Sequence, residues 1–95
     1  MFKIEDEWHA ELQDGEFPSL EAAAIELRRL AKLPWDQVPN VAPCKSWKTC
    51  GRRYELVEYD TSASPWKQLR RLAALEVDSK GIRWVAPEFE RVGPQ

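Results

Sequence analysis

Apolar and polar positions change their spacing several times along the chain, and each change predicts an element. Trp8, Ala10 and Leu12 alternate with His9, Glu11 and Gln13. A period of two predicts a half-buried strand. Asp14-Gly15 follows as a turn signal, and Pro18 limits any returning strand to the stub Glu16-Phe17. Leu20, Ala23, Ala24, Leu27, Leu30 and Ala31 then recur three and four apart, with Glu21, Arg28, Arg29 and Lys32 on the other side. That is the stripe of an amphipathic helix over about 19–33. Ser19 is placed to accept from a first-turn amide, bases gather in the last turns, and Pro34 stops the helix.

Residues 34–53 keep neither period and hold three prolines, a glycine, both cysteines and two tryptophans. They predict a long loop anchored by Trp35, Val41 and Trp47, and loops beyond about 12–15 residues are more often functional than incidental. Tyr54 to Tyr59 is rich in strand formers with apolar groups on both faces, as in an interior strand. The segment from Trp66 to Val77 is ambiguous. Leu69, Leu72 and Leu75 have helical spacing, yet Leu75-Glu76-Val77, Asp78-Ser79-Lys80-Gly81 and Ile82 to Val85 read as a hairpin. We therefore expect strand from about Leu72, with a short helical turn at 65–70 as the alternative. Beyond Pro87 the chain is charged and proline-flanked, so fraying is expected from about residue 88.

Together these elements predict an α+β fold in the order β-α-loop-β-β-β, with one main helix on a small, mostly antiparallel sheet of three or four strands. The chain of 95 residues reads as a single domain. Its five tryptophans are expected to supply much of the core. No apolar run reaches the roughly 18 residues of a membrane span, and Met1 to Glu7 lacks the basic and apolar regions of a leader. No membrane partner is expected. Two cysteines are too few for a stapled secreted scaffold, so a cytoplasmic location is expected.

Net charge is only −2, but it is unevenly spread. Residues 1–27 hold one base against eight acids, and residues 28–53 hold seven bases against Asp36 alone. Arg28, Arg29, Lys32, Lys45, Lys48, Arg52 and Arg53, with Trp47 as a stacking platform, would make a patch able to grip phosphates and bases if the loop folded back beside the helix end.

Candidate chemistry is sparse. Cys44 and Cys50 are six positions apart, flanked by Pro43 and Gly51, and are not a Cys-x-x-Cys motif. The expected state is two reduced thiols packed under the loop, with a reversible disulfide as the alternative. Structural zinc takes four protein ligands, and the only other good candidate is His9, so neither metal nor cofactor is expected. His9 reads as a solvent-facing strand residue, and Glu5-Asp6-Glu7 as a solvated acidic edge. There is no Ser/His/Asp motif or glycine-rich phosphate loop, so no catalytic residues are assigned and enzyme activity is not expected. The leading expectation is a non-catalytic interaction domain binding another protein through the 34–53 loop and the basic helix end. The second is nucleic-acid or polyanion binding through the basic block. The third is thiol-dependent redox or nucleophilic activity at Cys44 or Cys50.

Overall fold

The computed structural model describes residues 1–44 and 50–91. One helix, α1 (Leu20–Ala31), lies across a five-stranded antiparallel sheet. The strands are β1 (Phe2–Asp6), β2 (Glu11–Leu12), β3 (Arg52–Asp60), β4 (Lys67–Asp78) and β5 (Gly81–Trp84), in the spatial order β2-β1-β3-β4-β5. The class is the expected α+β, with one strand more than the sequence suggested.

Helix α1 begins where the pattern places it. Ser19 is extended and its hydroxyl accepts from the Ala22 amide, and Ala23, Ala24, Leu27 and Leu30 form the buried stripe. That stripe packs on the sheet face carrying Ile4, Tyr54, Leu56, Leu75 and Val77, all essentially inaccessible. Small alanines at the helix centre let the backbone approach the strands, and the larger sheet residues fill the layer.

The N-terminal strand is a correction. Phe2 and Ile4 alternate with Lys3 and Glu5 in β1, whereas Trp8 and Leu12 are both 48 % exposed. Residues 7–10 form turns, and Ala10 takes a positive φ of 51°, so the apparent alternation from Trp8 to Leu12 does not share one strand face. Only Glu11–Leu12 pair with β1. Phe17 closes the return as a single bridge to Phe2, matching the predicted stub.

Strand β4 starts at Lys67, five residues before the expected Leu72. Its first half extends beyond the cover of α1, so Leu69 is exposed, Leu72 half-buried and Leu75 fully buried. The helical spacing of those leucines is coincidental. An extra residue, Ala74, sits opposite the Tyr54-Glu55 step of β3, and its carbonyl accepts from Val85 and Ala86. The β4-β5 hairpin closes through Ser79-Lys80, with Gly81 at a φ of 122°.

The tryptophans contribute less than expected. Trp8 and Trp66 are exposed, and Trp35 and Trp84 are partly buried against the core. Trp47 lies outside the described residues. Pro87–Glu90 form a 3-10 turn with Phe89 buried in the core cluster with α1, and the end of the tail expected to fray, 92–95, lies outside the described residues. Among the described residues no helix is long and apolar enough to cross a membrane.

The sheet face away from α1 is a lattice of charge. Arg53, Glu76 and Arg83 lie opposite one another across β3, β4 and β5, and Glu76 pairs with both arginines. Glu5 and Glu55 also sit directly opposite each other, and Arg71 bridges the two like charges. Directly opposed like charges are destabilising, so Arg71 offsets a cost built into this register.

Candidate functional site

The sequence element that organises the site is the end of β1. Asp6 falls on the same sheet face as Phe2 and Ile4, and it is completely buried rather than part of a solvated edge. A buried carboxylate persists only when its lone pairs are matched. Here Oδ1 accepts from the backbone amides of Trp8 and Arg53, and Oδ2 from Arg52 Nη1 and from His9 Nδ1 at 2.6 Å. The turn at 7–10 brings His9 back over the strand it has just left. His9 is therefore half-buried with a fixed ring, not a free residue on a strand face.

Across from His9 lie both cysteines, joined as a disulfide. A ring nitrogen of His9 and the two Sγ atoms all fall within 4.8 Å of one another, and all three residues are half-buried. With Nδ1 donating to Asp6, Nε2 is the ring nitrogen left to act on sulfur. The reduced pair expected from composition is thus replaced by the alternative, a bonded pair.

Two further residues hold the cysteine segment in place. Arg52 is buried; its Nε and Nη2 donate to the Val41 carbonyl, and its Nη1 donates to Asp6 and Glu11. One guanidinium therefore clamps the chain entering Cys44 to the acid that orients His9. Gly51 makes the return crossing: a Cβ there would lie 2.6 Å from the Val77 carbonyl oxygen and 3.4 Å from the Trp8 ring. Only glycine passes between β4 and Trp8 without displacing backbone. On the α1 side, Asn40 Nδ2 donates to the Leu30 and Leu33 carbonyls and its Oδ1 accepts from Tyr54, capping the helix end and fixing the start of the connection. Burial raises the Tyr54 hydroxyl far above its ordinary range, so it stays a donor.

The basic block does not assemble as one patch among the described residues. Arg29 is bidentate to Glu26, Arg28 reaches the Glu90 carbonyl, and Lys32 is exposed at the end of α1. Arg52 is enclosed by Asp6 and Glu11, and Arg53 pairs with Glu76 and Glu7 on the opposite sheet face. Lys45, Trp47 and Lys48 lie outside the described residues.

Beside the connection, Glu11, Leu12, Gln13, Asp14, Val38 and Pro39 line a shallow groove, with Val38 85 % exposed. Sequence reading missed Asp6 and the clamp role of Arg52. The available signal was that Asp6 continues the buried parity of Phe2 and Ile4. No protein-family model, curated protein or solved structure matches the chain.

Proposed function

We propose that the protein is a small thiol-disulfide-responsive binding domain, in which Cys44 and Cys50 are the redox pair and the 34–51 connection is the recognition element. The observation that carries this reading is the cluster of two sulfurs and one imidazole within 4.8 Å, with the imidazole held by a fully buried acid. A packing disulfide needs no oriented base beside it. Here an external thiol gives its proton to His9 Nε2 and attacks one sulfur as the thiolate, the Cys44-Cys50 bond breaks, and Nε2 passes that proton to the departing thiolate. A second external thiol then resolves the mixed disulfide, so two thiols become one external disulfide and the protein gains two thiols. Such a cycle suits the expected cytoplasmic location, where structural disulfides are rare and redox pairs are the usual exception.

Reduction breaks the covalent link between Cys44 and Cys50, beside the groove that exposes Leu12 and Val38. This supports a protein partner rather than a nucleic acid, because Arg52 and Arg53 are committed to carboxylates. The test is to equilibrate the protein in thiol-disulfide buffers and count thiols by alkylation and mass. A reversible two-thiol transition is expected, with exchange slowed about tenfold or more in His9→Ala. A pair that never reduces without unfolding would overturn the reading.

A further inference from the structure

We infer that the reduced protein binds one zinc ion through Cys44 Sγ, Cys50 Sγ and His9 Nε2, with Asp6 as the positioning residue and the fourth coordination position open. The inference rests on Cys44 and Cys50 being a reducible pair. Ligand chemistry and spacing carry it. Zinc-sulfur bonds of about 2.3 Å and zinc-nitrogen bonds of about 2.0 Å at tetrahedral angles place the ligand atoms about 3.5–3.8 Å apart. Both Sγ atoms and a ring nitrogen of His9 already lie within 4.8 Å of one another, so breaking the sulfur-sulfur bond, with a small outward shift of each sulfur, brings this ligand set toward the required triangle.

The second, independent observation is Asp6. Metal-bound histidines commonly donate their other ring nitrogen to a carboxylate, which fixes the tautomer and raises the basicity of the ligating nitrogen. Asp6 Oδ2 accepts from His9 Nδ1 in that arrangement, and Arg52 with two backbone amides prevents the acid from swinging in as a ligand itself. Two thiolates and an imidazole select a soft or borderline ion over magnesium or calcium. Half-burial leaves an entry path for the ion and for water at the fourth position. Oxidation to the disulfide removes two of the three ligands, so metal binding and disulfide formation exclude each other.

The test uses the full chain, reduced and freed of reductant without oxygen, titrated with cobalt as a spectroscopic stand-in and then with zinc. One equivalent of cobalt should give thiolate-to-metal charge-transfer bands and the visible bands of a tetrahedral ion, and zinc should bleach both. Zinc should also protect both thiols from alkylation. Cys44→Ser and His9→Gln should each lose the tetrahedral spectrum, and Asp6→Asn should weaken zinc about 10- to 100-fold. Because Asp6 is buried, His9→Gln is the deciding variant, its fold checked by circular dichroism. A reduced chain whose two thiols both alkylate but which gives no cobalt bands overturns the metal inference and leaves the redox reading standing. Thiols that cannot be freed in the folded protein overturn both. An unchanged spectrum in His9→Gln overturns the assigned ligand set.

Discussion

Asp6 and Glu55 are both buried carboxylates on adjacent strands of one sheet, yet their surroundings differ in kind. Asp6, on the face under α1, accepts from four donors, one of which, Arg52 Nη1, also neutralises Glu11 directly opposite on β2. Glu55, on the open face, sits opposite Glu5, hydrogen-bonds with Glu7, and depends on Arg71 for compensation. Burial pushes the Glu55 carboxyl up, but the bonds from Glu7 and Arg71 outweigh it and hold the group below its ordinary value. Glu7 takes the opposite shift: its hydrogen bond to Glu55, aided by burial and like charge, raises it. Burial therefore produces a fixed anchor in one place and, in the other, a pair of carboxyls shifted in opposite directions. Only the anchor orients a reactive side chain.

The largest effect should come from removing the anchor. Asp6→Ala leaves Arg52 buried beside a vacated acceptor and releases His9, and breaking a buried pair this way costs about 3–5 kcal/mol. Urea denaturation followed by tryptophan fluorescence measures it. Gly51→Ala should follow at about 1–3 kcal/mol, because its Cβ meets the Val77 carbonyl rather than a flexible side chain. A similar midpoint for Gly51→Ala and wild type would show that the crossing beside Cys50 is looser than described.

On the open face Arg71→Ala should cost about 1 kcal/mol at neutral pH, since the side chain is partly exposed and solvent screens it. Its cost should shrink in acid as Glu55 takes up a proton. Glu7→Gln is the smallest change, a gain of a few tenths of a kcal/mol at pH 7. The signs follow from the two shifts. Glu55, lowered when folded, contributes stability above its ordinary value of about 4.5 that is lost as pH falls through the folded value. Glu7, raised when folded, contributes below about 4.5 and loses that contribution as pH rises through its folded value. Glu7→Gln should therefore match wild type in acid and exceed it only above that window, which stability curves at several pH values will show.

The two regions also differ in how legible they were. Helix α1 and the β4-β5 hairpin were readable because Ser19, Pro34 and Gly81 mark boundaries that propensity alone dictates. Strand β1 was not, because a buried Asp6 flanked by Glu5 and Glu7 looks like surface. Its burial depends on Arg52, 46 residues away, and no local pattern encodes that pairing. The leucines from 69 to 75 misled for the converse reason: their spacing is helical, but pairing with β3 overrides it. Cys44 and Cys50 were identifiable as candidates; that His9 faces them depended on the positive φ of Ala10 and the turn around it.

The most direct test that Asp6, His9 and the two cysteines form one chemical unit is long-range nitrogen-proton correlation of the His9 ring in oxidised and reduced protein at fixed pH. The oxidised form should show a proton on Nδ1, held by Asp6, and reduction should move the Nε2 resonance far more than Nδ1. A ring protonated at Nε2, or one whose two nitrogens are unaffected by reduction, would contradict the arrangement.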